Sequence, residues 1–126
     1  MKLECIDHVV IIVENIDKTQ KFYSSFLGVP IQAEKEQVVY KIGATKLFFG
    51  LPFGRFERYN KDNGGLSHLA LGVNTEINLK EIEKQLNSAN IKNSGIKVDT
   101  YGNSLFIWFD DPNGIRLEIY CRSNSK

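Results

Sequence analysis

The stretch I-D-H-V-V-I-I-V at residues 6–13 recurs as L-S-H-L-A-L-G-V at residues 66–73, and the chain's two histidines, His8 and His68, stand at the same place in the two copies. Residues 5–13 are apolar at nearly every position, the pattern expected of a strand covered on both faces. Outward from each copy the chain repeats the same succession of elements.

After the first copy, Asn15 or Asp17 caps a helix over about 17–27, with Thr19, Phe22, Tyr23, Phe26 and Leu27 at helical spacing; Gly28 ends it and Pro30 prevents a restart. Strands follow at 30–35, 37–42 and 46–51, with a turn at Gly43-Ala44-Thr45 between the last two. After the second copy, a helix over about 79–89 carries Leu79, Ile82, Leu86 and Ala89 on one face, with Asn78 as N-cap and Glu81 as its reciprocal partner. Strands at 96–99, 104–109 and 115–121 complete it, the last pair joined at Asp111-Pro112-Asn113-Gly114. Both modules read β-α-β-β-β, which predicts a single α+β domain over 1–126: module one over about 3–52, a linker over about 53–65, module two over about 66–122. The polar stretch 52–65 reads as that linker in preference to a lid carrying Arg55, Arg58 and Tyr59 toward a substrate.

Bulk properties narrow the partners. With 126 residues, 42% hydrophobic and 25% charged, the chain can bury a real core, and a formal charge of +1 leaves no broad basic surface for nucleic acid or an anionic membrane. A small-molecule partner fits better. The start M-K-L-E-C-I-D-H has acidic residues where a secretory signal needs basic ones, and V-V-I-I-V is too short to span a bilayer, so a cytoplasmic location is expected. Cys5 and Cys121 are too few for a disulfide framework and lack metal-type spacing, and read as reduced thiols on buried strands.

Duplication lets one half interpret the other. Placing K-L-F-F-G at 46–50 against R-L-E-I-Y at 116–120 sets Phe48 opposite Glu118. Strand alternation turns Leu47, Phe49, Leu51, Leu117, Ile119 and Cys121 toward the helices and leaves Lys46, Phe48 and Gly50, like Arg116, Glu118 and Tyr120, on the other side. His8 shares its face with Ile6, Val10 and Ile12; His68 shares one with the small Ala70 and Gly72, which leave room for a ligand. A lone strand histidine is more often a hydrogen-bonded core residue, and a lone strand glutamate an exposed one. Two repeat-matched imidazoles with a carboxylate in the final strand point instead to a metal centre of His8, His68 and Glu118. Of Phe106, Trp108 and Phe109, at least two are expected to be ordinary core.

Together, I-D-H-V-V, F-Y-S-S-F-L-G, S-H-L-A-L-G-V and F-D-D-P-N-G-I-R-L-E-I-Y resemble the vicinal oxygen chelate superfamily of glyoxalases, bleomycin-resistance proteins and extradiol dioxygenases over nearly the whole chain. The resemblance implies that the paired modules form a cup-shaped mixed sheet with the helices on its convex side, and that His8, His68 and Glu118 hold a divalent Fe, Mn, Zn, Ni or Co ion. It also implies a homodimer, with each site kept within one chain or completed by a partner's module. Glyoxalase I and the epimerases usually carry Glu or Gln at the position of Phe48, and a phenyl ring neither binds metal nor moves protons.

A three-ligand site resembles the extradiol dioxygenases, and with no third histidine the proton relay falls to Tyr101, Tyr120, a lysine or water. The expected function is therefore a metal-dependent enzyme of dioxygenase type acting on adjacent substrate oxygens. Its catalytic groups are Glu118, Tyr120 and Tyr101, and its substrate contacts Phe48, Trp108 and Arg116. The alternatives are a glyoxalase-like lyase or isomerase, a thiol transferase of the fosfomycin-resistance type, and a metal-free binding protein of the bleomycin-resistance type.

Overall fold

Strand β1 (His8–Ile12) passes through Asn15 into helix α1 (Ile16–Leu27), and the Asn15 carboxamide oxygen accepts from the Lys18 amide at 2.9 Å. That bond satisfies one of the helix's orphan donors. Gly28, at φ 84°, closes the helix by donating its amide to the Ser24 carbonyl, a backbone conformation that side-chain-bearing residues rarely adopt. Strands β2 (Gln32–Glu34), β3 (Gln37–Ile42) and β4 (Thr45–Gly50) follow, with β3 and β4 joined through Gly43 and Ala44 in a two-residue hairpin. The sheet order is β1-β4-β3-β2, with β1 parallel to β4 and the other pairs antiparallel.

The second module repeats this plan with β5 (Leu69–Val73), α2 (Glu76–Ser88), β6 (Lys97–Val98), β7 (Leu105–Asp110) and β8 (Arg116–Cys121), ordered β5-β8-β7-β6 with β5 parallel to β8. The computed structural model describes residues 1–122 as two compact units, Met1–Glu57 and a second beginning at Arg58. The predicted α+β architecture of two β-α-β-β-β modules is what the chain adopts.

Each unit buries one face of its sheet under its own helix. In the first, α1 packs on β3 and β4; Tyr23 lies 4.3 Å from Phe49 between ring centroids, and Val13, Val38 and Leu47 are buried beside them. The Tyr40 hydroxyl satisfies itself against Ser24 Oγ at 2.7 Å and the Gln20 carbonyl at 3.2 Å. In the second, α2 covers β5, β7 and β8, and Leu79, Leu86, Ile107, Phe109, Leu117 and Ile119 form the core. Each such side chain contributes about 1.5–3 kcal/mol by leaving water.

The structure corrects several expectations. Strand β1 is not covered on both faces: Val9, Ile11 and Val13 turn toward the helix side, whereas Val10 is 56% and Ile12 43% exposed. A single helix covers a single face, and period-two alternation sends every second residue to the other. For the same reason only Phe109 of the three β7 aromatics is core, while Phe106 and Trp108 lie half-buried on the open face. Cys5 precedes β1 and is exposed, whereas Cys121 is buried as expected. Helix α2 starts earlier than its hydrophobic periodicity suggests: Thr75, not Asn78, is the N-cap, its Oγ1 accepting from the Asn78 amide at 3.1 Å. Threonine in an extended conformation competes well for a cap, and the added residues Glu76, Ile77 and Asn78 lie off the buried stripe, Ile77 being 79% exposed, so the periodicity of the core face does not register them.

The Asp111–Gly114 turn is built on one side chain. Asp111 Oδ1 accepts from the amides of Asn113 and Ile115 at 2.8 and 2.9 Å, and the Gly114 amide donates to the Asp111 carbonyl at 3.1 Å. From the segment ahead of β5, Arg58 Nη1 donates to the Pro112 carbonyl at 2.7 Å and the Tyr59 amide to the Asn113 carbonyl at 3.3 Å. Those two residues thus fasten the segment to the turn that aims β8.

Candidate metal centre

Glu118 occupies the middle of β8, in register with Ala70 of β5 on one side and Trp108 of β7 on the other, and its side chain is only 14% exposed. His68 immediately precedes β5, two residues before Ala70 on the same face of the sheet. The single methyl of Ala70 leaves the volume above Glu118 clear for the imidazole. His68 Nε2 and Glu118 Oε1 stand 3.5 Å apart. Two donors each about 2.1 Å from one cation, subtending 90–110°, are separated by about 3.0–3.4 Å. The pair therefore has nearly the spacing that a shared divalent ion requires, and imidazole nitrogen with carboxylate oxygen is a donor set such ions accept.

Both histidines are held from behind by the residue that precedes them. His8 Nδ1 lies 2.7 Å from Asp7 Oδ1, and His68 Nδ1 lies 3.0 Å from Ser67 Oγ. A carboxylate only accepts, so Asp7 draws the His8 proton to Nδ1 and leaves Nε2 with its lone pair, the form in which imidazole binds metal. Asp7 and Ser67 escaped the sequence reading, although their signal lay in the repeat itself: each copy puts a hydrogen-bonding residue directly before its histidine.

His8 opens β1 in the first unit, in register with Lys46, and its ring meets Phe48 edge-on at 5.5 Å. Among the described residues no group of three or more His, Cys, Asp or Glu side chains gathers in one place. The structure brings His68 and Glu118 together in the second unit, while His8 belongs to the first.

Around Glu118 the open face is aromatic. Tyr120 stacks on Phe106 at 4.9 Å with 14° between planes, and its hydroxyl is held above the ordinary tyrosine pKa near 10, first by desolvation and then by the carboxylates of Glu118 and Asp99. Asp99 is a further site neighbour that the sequence reading missed. Arg116 places its guanidinium carbon 4.1 Å over the Trp108 ring and its Nε 2.6 Å from Asp110 Oδ1, so this cation already has both a ring and an acid. Tyr101 is 98% exposed in the turn after β6, its amide bonded to Asp99 Oδ1 at 3.0 Å.

The model of the glyoxalase/bleomycin resistance protein/dioxygenase superfamily matches residues 5–119. The chain belongs to this superfamily. Among its relatives are the uncharacterized protein YaeR of Escherichia coli strain K12, 28% identical over 127 positions that cover 94% of this chain and 96% of YaeR, and YwkD of Bacillus subtilis, 28% identical over 129 positions that cover 95% and 98%. A glyoxalase family protein from Enterococcus faecalis superposes with a TM-score of 0.75 at 26% identity, covering 95% of this chain and 99% of that one. Lactoylglutathione lyase from Agrobacterium tumefaciens shares the fold at a TM-score of 0.74 and 16% identity, covering 98% of this chain and 97% of that one. Within the superfamily's two-module plan, this chain carries its carboxylate at Glu118 and hydrocarbon at Phe48. No helix of the described residues is long and apolar enough to cross a membrane.

Proposed function

We propose that the protein is a metal-dependent enzyme that chelates two adjacent oxygens of a small molecule at a centre of His8, His68 and Glu118, with chemistry of the dioxygenase type. The reading rests on the 3.5 Å approach of His68 Nε2 to Glu118 Oε1, with the opposite ring nitrogen already engaged by Ser67. His8 is the third ligand, supplied by the first unit of the same chain or of a partner in a homodimer. A divalent Fe, Mn, Zn, Ni or Co ion held there would supply Lewis acidity to two neighbouring substrate oxygens, on coordination positions that three protein ligands leave open.

The chain's own residues do the rest. Tyr120, two residues beyond Glu118 on the same face, keeps its proton at neutral pH as any tyrosine does, desolvation and the carboxylates of Glu118 and Asp99 extend that state to higher pH, and it acts as a donor to a substrate oxygen and not as a base. Trp108, beneath the Arg116 guanidinium, and Phe106, stacked on Tyr120, add half-buried apolar surface to the same face, which suits an aromatic or partly apolar molecule. Phe48, at the edge of the His8 ring, puts hydrocarbon where a fourth ligand would otherwise stand.

Elemental analysis of protein purified without chelator, followed by oxygen uptake with catechols after Fe(II) loading, tests this reading. Retained metal, lost together in His8→Ala, His68→Ala and Glu118→Ala, with catechol-dependent oxygen uptake, is the expected result. Metal-free protein whose ligand binding ignores chelators overturns it in favour of a binding protein.

A further inference from the structure

The open face of the second sheet carries two arginines in different circumstances. Arg116 is paired with Asp110 and laid on Trp108. Arg122 follows β8 on the same alternation as Glu118 and Tyr120, and among the described residues it has no ion pair. It is nonetheless placed. Its amide donates to the Val73 carbonyl at 2.7 Å, its stem crosses Gly72, and its guanidinium carbon lies 5.4 Å from the Tyr120 ring centroid. A Cβ on Gly72 would meet Arg122 Cγ at 3.5 Å, an ordinary contact, so a methyl fits there and only a bulkier, branched side chain would lift the stem off β5. Tyr120 is thereby flanked by Phe106 from the β7 side and by Arg122 from the β5 side.

We propose that Arg122, laid over Gly72 and against Tyr120, is a docking subsite for a carboxylate, so that the molecule held at the centre is a carboxylic acid whose charged end lies toward Arg122 and whose chelating oxygens lie toward Glu118. This assignment rests on the proposed metal centre for the second half of that statement only. A guanidinium against a ring keeps its N–H edges free, and their fork matches the two oxygens of a carboxylate. Glu118 and Asp99 beside Tyr120 disfavour a dianion more than a monoanion, which selects carboxylate over phosphate.

The test titrates the full chain, both as purified and after chelator treatment, with 3-phenylpropionate, its neutral analogue 3-phenylpropanol, and phenyl phosphate, following the indole N–H of Trp108, the one tryptophan, and the amides of 118–122 by NMR. The acid should bind at least about tenfold more tightly than the alcohol with or without metal. Arg122→Gln should erase that preference, and Arg122→Lys should keep part of it. Gly72→Val, which retains the arginine but lifts it off β5, should weaken it. Equal binding of acid and alcohol, a preference that survives Arg122→Gln, or tighter binding of phenyl phosphate overturns the subsite. A preference that disappears with the metal also overturns it while leaving the metal centre standing, whereas a preference that persists in protein that never retains metal supports the subsite and sinks the centre.

Discussion

Phe48 holds in the first sheet the register position that Glu118 holds in the second: Val10 faces Phe48 across β1 and β4 as Ala70 faces Glu118 across β5 and β8. The duplication has kept its hydrogen-bond register while one half lost, or never gained, a carboxylate. Phe48→Glu is therefore expected to tighten retention of a divalent ion by about tenfold and to suppress oxygen uptake by filling an open position, whereas Glu118→Gln is expected to weaken retention by at least about a hundredfold. Competition with a metallochromic chelator measures both; an unchanged affinity in Phe48→Glu would place that position away from the ion.

Asp7 bonds to His8 Nδ1 from the adjacent position in the chain, and the contact is exposed. Its contribution to folding is accordingly small, since an exposed pair of this kind is worth about 0–1 kcal/mol at most. At the proposed centre its contribution is larger, because it sets the tautomer. Asp7→Ala should lower metal affinity by about 10–100-fold with little change in the thermal midpoint, and calorimetry with and without metal separates the two effects.

Tyr120 has its pKa raised, so its neutral form is the one the folded protein favours. Any activity that needs the Tyr120 proton is complete below the ordinary value near 10 and is lost only as pH rises through the higher folded value. Tyr120→Phe should remove that alkaline limb while leaving metal retention intact. Asp99→Asn, by deleting one of the carboxylates that raise the value, should move the limb to lower pH. A rate profile together with absorbance titration of the phenolate checks each shift.

Gly114 sits at φ 91°, and a Cβ there would come 2.5 Å from the Tyr59 carbonyl oxygen and 3.3 Å from Arg58 Nε. Backbone strain alone costs about 1–3 kcal/mol at such a position, and the clash adds to it by pushing the 58–59 segment off the turn. Gly114→Ala should destabilise the protein by at least about 2 kcal/mol in denaturant unfolding. Arg58→Ala should cost less, about 1 kcal/mol, because it removes one exposed hydrogen bond without strain.

The repeat, the turn residues and the alternation along each strand were enough to read both modules, the pairing of Phe48 with Glu118 by position, and the helix-facing set Leu47, Phe49, Leu117 and Ile119. These are local properties: Gly28 and Gly43 announce their turns through backbone freedom, Asn15 its helix through a side chain that accepts from an amide three residues on, and β-strand faces follow from a period of two. What the residues along the chain do not disclose is which side chains meet after folding. The 3.5 Å approach of His68 to Glu118, the capture of Arg116 by Asp110, the open position of Arg122 and the half-exposed Phe106 and Trp108 depend on strand register and on a single helix covering a single face. Those are long-range outcomes, decided by how distant segments pack, and no neighbouring residue encodes them.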